Sequence, residues 1–159
     1  MMDLLSFPDQ ARIWVYAADQ PIPEEQVPVV YQAILDFTAE WSSHQKALRA
    51  TGGLLHRRFL VLVVDADFNT PGGCSIDVSV HFVKHLGKEL GIDFFDRNLF
   101  YYIDQEEVLP IRKDQMGEAL EQGRIHPETL FFDTLVSQKA AFQKEWLKPL
   151  KDSWHYRLL

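Results

Sequence analysis

The sequence predicts an α+β fold: a ferredoxin-like βαββαβ core over residues 1–104, with a mixed C-terminal extension, residues 105–159, packed on its sheet. Three observations predict it. Segments of strand and helix character follow one another as strand, helix, strand, strand, helix, strand, the split βαβ order. Phe59–Val64 is apolar at every position, whereas a strand with one wet face would alternate. That strand is therefore central and covered on both faces. The two helices cover one face, so the other needs residues 105–159 or a second copy of the chain, which makes a homodimer the alternative cover.

The elements follow in order. Arg12 to Ala17 is rich in strand formers and is the first strand. The prolines at 21 and 23 turn the chain. From about Glu24 to Ser43, Val27, Val30, Tyr31, Ile34, Thr38 and Trp41 recur at three- and four-residue spacings, one face of a helix. Pro28 lacks an N–H donor, so the regular helix is expected to begin near Val27. Lys46 to Thr51 is the second strand, and Gly52-Gly53 reads as a hairpin turn. Arg57 to Asp65 is the third strand. Asp67 to Gly73 is a loop dense in turn formers. Ser75 to Leu90 is the second helix, with Gly91 placed to stop it. Leu99 to Ile103 is the fourth strand.

Residues 105–159 carry weaker signals. A strand is expected around Val108 to Ile111, then a short helix from Lys113 to Gln122 with Gly123 behind its end. Another strand falls at Thr129 to Phe132. A helix is expected from about Leu135 to Leu147, aligning Leu135, Phe142 and Trp146, with Pro149 interrupting it. No repeat or low-complexity linker separates these segments, so the extension is not an independent domain.

Composition excludes several classes of function. The 159 residues are 47% hydrophobic and 13% aromatic, which excludes disorder. A single cysteine forbids an intrachain disulfide and any zinc site with two cysteine ligands. The net charge of -7 disfavours binding to phosphate backbones, so no nucleic-acid partner is expected. The longest apolar stretch, Phe59–Val64, falls far short of the roughly 18 residues of a membrane span. Met1 to Trp14 lacks the basic start and apolar run of a signal peptide. The expectation is a soluble cytoplasmic protein without a cofactor.

The segment from Gly72 to Asp77 is the most suggestive chemically. It puts the only thiol, Cys74, at a helix N-terminus, where free N–H groups and the dipole favour anions. A thiolate there gains reactivity. Gly72, Gly73, Cys74 and Ser75 are thus the candidate ligand-binding residues. At 100° per residue, Ile76, Val80, Val83, Leu86 and Leu90 form the expected sheet-facing side of the helix. Cys74, Asp77, His81 and His85 fall on the opposite side. Cys74 as nucleophile, with His81 and Asp77 assisting, is the candidate catalytic set. His81, His85 and Asp77 are the candidate metal set. The structural alternative stands beside both: Ser75 as N-cap, Asp77 in the first turn, solvated histidines and a buried cysteine. Elsewhere, Asp65 and Asp67 are either a divalent-cation pair or loop caps. His56-Arg57-Arg58 is either an anion grip or a polar strand edge, and Asp96-Arg97 forms a local ion pair or turn.

Phosphate-binding motifs are missing. The only Gly-Lys pair, Gly87-Lys88, lies inside a helix and is followed by Glu89. Nucleotide hydrolysis is therefore not expected. Gly73 to Asp77, Ser79 to Phe82, Lys84, Phe95 to Arg97 and Lys151 to His155 together resemble a family of uncharacterised bacterial proteins often described as ABC transporter ATPases. The resemblance spans nearly the whole chain. It implies a bacterial, soluble protein and transfers no catalytic residues. A local pattern is similar to bacterial GYF-like modules: Tyr101-Tyr102, Met116, Leu120, Gly123 to Ile125, Pro127, Thr129-Leu130, Trp146 and Pro149. That family binds proline-rich peptides on an aromatic surface. Here Glu107 to Ile111 replaces its Gly-Pro-aromatic segment.

No catalytic set is complete, and aromatic residues exceed the needs of a modest core. The leading expectation is a non-catalytic module binding a protein, a peptide or a small ligand. Trp154, His155 and Tyr156 are candidates for a contact surface. The alternative is a thiol-dependent enzyme, or an anion or metal site, at the start of the second helix.

Overall fold

The computed structural model describes residues 2–159. The fold is α+β and its strands pair antiparallel in separate sheets. The first sheet has the order β1-β5-β4, formed by β1 (Arg12–Ala17), β5 (Phe59–Val64) and β4 (Ala50–Leu55). Its central strand β5 is buried at every position. Leu60, Leu62 and Val64 point to one face, where they meet Val30 and Ile34 of α1 (Val27–Glu40) and Val83 and Leu86 of α2 (Gly73–Leu90). Val61 and Val63 point to the other face, onto Phe7, Val136 and Phe142. Phe142 belongs to α4 (Lys139–Glu145). Residues from both ends of the chain therefore cover the second face, and each fully buried aliphatic side chain contributes about 1.5–3 kcal/mol.

The second sheet has the order β7-β6-β8-β9, formed by β7 (Glu107–Arg112), β6 (Leu99–Asp104), β8 (Leu130–Phe132) and β9 (Leu147–Pro149). Its own core gathers Phe100, Tyr102, Ile111, Phe131 and Leu150 around Met116 and Ala119 of α3 (Met116–Glu121). Here the expected topology is corrected. The strand at 99–104 does not join the first sheet, because β7 and β8 occupy its two edges. The boundary placed after residue 104 falls in the hairpin turn between β6 and β7, so it cuts through the second sheet rather than between two units. The two sheets meet through aromatic rings: Phe59 of β5 lies 5.4 Å from Tyr101, 4.7 Å from Phe132 and 5.3 Å from Trp146. The Tyr101 hydroxyl donates to the Ala18 carbonyl at 2.5 Å. Burial pushes its pKa up to about 12, with Arg58 opposing and Asp19 reinforcing the shift.

Several local expectations are also corrected. Gly52-Gly53 is not a turn but the middle of β4. A Cβ on Gly52 would lie 2.7 Å from both the Ile34 Cγ2 and the Val61 carbonyl oxygen, so glycine admits the close approach of α1. The actual turn is at His56 and Arg57, with φ of 53° and 56°. The expected second strand is broken: β3 (Lys46–Ala47) pairs with β2 (Ser42–Ser43), and β4 starts at Ala50. The helix expected from Leu135 is only α4, and Leu135 stands outside it, 68% exposed. An Asp133 carboxylate oxygen accepts the Leu135 N–H at 2.9 Å and turns the chain instead. By contrast, α1 starts at Val27 with Pro28 in its first turn, and Gly91 and Gly123 end their helices at φ of 68° and 76°. Among the described residues no helix is long and apolar enough to cross a membrane.

Candidate functional site

The start of α2 is built by α1 and the small β2–β3 hairpin. Trp41, just past α1, donates its Nε1–H to the Ser75 carbonyl at 2.8 Å, in a buried position. The buried Ser43 hydroxyl accepts the Gly72 N–H at 3.2 Å. The N-cap is Gly72, not Ser75. Ser75 lies in the first turn, and its hydroxyl donates back to the Gly72 carbonyl at 2.7 Å. Gly72, Gly73, Cys74 and Ser75 do come together, lining a depression of about 510 Å³ with Ser42, Ser43, His44 and Val78. Cys74 is exposed. His44 carries no signal in the sequence, since it belongs to a hairpin of two-residue strands.

The other half of the candidate set does not join this depression. Asp77, His81 and His85 are exposed along the open side of α2. His85 Nε2 lies 3.0 Å from Glu89 Oε1, one helical turn on, an ordinary exposed pair. Among the described residues no group of three or more His, Cys, Asp or Glu is placed to hold a metal ion. The buried side of α2 is also rotated from the expected one: Ser75, Ser79, Val83, Leu86 and Gly87 are buried, while Ile76, Val80 and Leu90 are half-buried. Small residues permit close packing where an apolar count sees nothing. Gly87 shows it directly, for a Cβ there would lie 2.5 Å from the Ile92 carbonyl oxygen.

The lower-ranked groups resolve into structural roles. Asp65 pairs with Arg49 at 3.0 Å and accepts the Asp67 N–H, while Asp67 accepts from Gln10 Nε2. Arg57 donates to the Ile22 carbonyl, and Arg58 to the His56 carbonyl. Asp96 pairs with Arg112 at 3.1 Å rather than with Arg97, and its other oxygen accepts the Asn98 N–H. That backbone bond and the Arg112 guanidinium hold the Asp96 carboxyl below its usual pKa.

The titratable group most altered by its surroundings is His155. It is 1% exposed, with rings of Phe100, Phe131 and Trp154 centred 4.6, 5.3 and 3.9 Å away. Its Nδ1 is 2.6 Å from the Ser153 hydroxyl. Burial lowers its pKa to about 4, against a raising effect of Asp133; Lys148 adds to the lowering. Burial by itself would raise the Asp133 pKa. Hydrogen bonds from Lys148 (2.9 Å), the Leu135 N–H and Trp154 Nε1 (2.9 Å) outweigh it and leave the pKa low. The expected contact surface of Trp154, His155 and Tyr156 is therefore corrected: His155 is core, Trp154 is half-buried and only Tyr156 is open.

A second surface feature lies between the two sheets. A groove of about 490 Å³ follows β1 at Val15, Tyr16 and Ala17; its walls include Phe95, Leu99, Phe100, Leu135 and Trp154. Tyr101 and Tyr102, part of the pattern similar to GYF-like modules, are buried at 2% and 6% exposure. In comparisons with protein-family models, curated proteins and solved structures, nothing matches the chain.

Proposed function

We propose that this chain is a non-catalytic binding module whose ligand surface is the groove between the sheets. The observation that carries this reading is the groove's lining: aromatic and aliphatic walls beside a strand edge, with Leu135 standing out at the rim. A cleft of this size is in the range of ligand sites, and apolar walls beside an open strand edge suit an extended protein or peptide segment. The three-stranded sheet with α1 and α2 supports reading the first half as an opened ferredoxin-like core, its fourth-strand place given over to the groove. A bacterial cytoplasmic setting fits a chain with one free cysteine.

The experiment is selection of random displayed peptides on the full chain, followed by binding measurements on variants. Leu135→Asp is expected to weaken selected peptides at least about tenfold, since it puts a charge in the apolar wall. Cys74→Ser is expected to leave them unchanged. Indifference to Leu135→Asp would overturn the reading.

The second reading, a thiol-dependent enzyme or anion site at Cys74, is favoured by one observation, the depression that Cys74 shares with His44. A Cys74 alkylation profile with the pH dependence of a free thiol, near pKa 8.5, would remove it.

A further inference from the structure

The edge of β1 that lines the groove is unpaired, and its polar groups specify what binds there. In an antiparallel strand, N–H and C=O groups of alternate residues point to opposite sides. Ala18 N–H points toward β5 and donates to the Arg58 carbonyl at 2.7 Å; Ile13 N–H points the other way and donates to the Ser137 carbonyl at 3.0 Å. The odd-numbered residues of β1 thus face away from β5. Lys139 N–H donates to the Ala11 carbonyl at 2.8 Å, so residues 137–139 begin a fourth strand beside residues 11–13. The Asp133 turn then carries that segment away. Beyond the window, Asp19 N–H donates to the Asp93 carbonyl at 2.9 Å. Between these two closures, the N–H and C=O groups of Val15 and Ala17 have no hydrogen-bond partner among the described residues.

We propose that an extended segment of a partner protein adds to β1 at Val15–Ala17 as the missing strand, its side chains alternating between the groove and solvent. The proposal rests on the reading of the groove as the binding surface. The unpaired backbone groups call for an extended backbone, and the apolar walls take alternate side chains. Charge sets one end. Arg97 lines the groove, and the Lys84 ammonium lies 5.5 Å from the centre of the Phe95 ring in its wall. Among the described residues neither cation has an acidic partner within 4 Å, whereas Asp96 is held by Arg112. The segment therefore carries a carboxylate at the Phe95 end. A second copy of this chain fits less well. Its own window lies behind the same closures, so two folded edges cannot meet, and each copy carries a charge of -7.

The test uses peptides selected on the full chain, with Leu135→Asp as the groove control. Selected sequences are expected to alternate apolar residues and to end in Asp or Glu. N-methylation of the peptide at the residues facing Val15 and Ala17 is expected to weaken binding about tenfold, and at intervening residues less than about twofold. Arg97→Glu is expected to weaken it about threefold. If Leu135→Asp abolishes binding but methylation has no alternating effect, strand addition is wrong and the groove reading stands. If neither has an effect, or if no peptide is selected, both fall. A dimer seen by sedimentation and dissolved by the selected peptide would make the occupant a second copy, which also overturns the proposal.

Discussion

Two histidine-bearing regions of this chain have opposite surroundings. On α2, Asp77, His81 and His85 keep the one-turn spacing of a ligand set but lie in open solvent. Against the second sheet, in the C-terminal 3-10 turn, His155 has no such pattern around it in sequence, yet it is enclosed by three aromatic rings and feels the charges of Asp133 and Lys148. Spacing along a helix reports which residues share a face, not whether that face is covered. Cover, and the charges it brings close, changes the chemistry of an imidazole.

The largest expected effect separates the two by pH. The folded state holds His155 neutral, with a pKa of about 4 against an ordinary 6.5. Its contribution to stability is complete above pH 6.5 and is lost as pH falls toward 4, on the order of 3 kcal/mol. His56, also lowered by burial and by Arg58, adds a loss of the same sign. Denaturant titrations from pH 7 to pH 4 should show this slope, and His155→Gln should flatten most of it. An unchanged slope in that variant would place the effect elsewhere. Asp133 acts in a lower window: its folded pKa is depressed, so its contribution is complete above the ordinary carboxylate range and is lost below it.

Next in size, Asp133→Ala removes the partner of Lys148 and Trp154 together. It should cost about 2–3 kcal/mol at pH 7, read by chemical denaturation. Tyr101→Phe deletes the hydroxyl bond to the Ala18 carbonyl between the sheets and should cost about 1 kcal/mol. The double change His81→Ala with His85→Ala is the opposite extreme. It should alter stability by less than about 0.5 kcal/mol, with no change in metal content by elemental analysis. A large loss there would erase the contrast.

The legible part of the fold was what local chemistry decides. The unbroken apolar run marks β5 as central, and Gly91 and Gly123 stop their helices where only a left-handed residue suits. The illegible part depended on distant neighbours. Gly52-Gly53 looks like a turn because its real reason, the approach of Ile34 on α1, lies elsewhere in the chain. His56-Arg57 turns the chain without the glycine or asparagine that usually announces such a turn. Leu99–Asp104 has a clear strand pattern, but nothing in it says which sheet it joins. At the candidate site, Gly72 to Ser75 line one depression, but the buried side of α2 is not legible from apolar spacing, since Ser79 and Gly87 are buried for their small size. The groove had no sequence signal, because it is defined by backbone groups that fail to find a partner.

The closure of β1 by residues 137–139 also sets an order of events in time. During synthesis β1 emerges well before β5, and before Ser137 and Lys139, which close only the start of its other edge, at Ala11 to Ile13. Both pairings are non-local, and non-local pairing is slow. Until translation reaches that distant segment, the nascent strand has one edge waiting on a partner still inside the ribosome, so a slowed ribosome would prolong its exposure to unintended pairing.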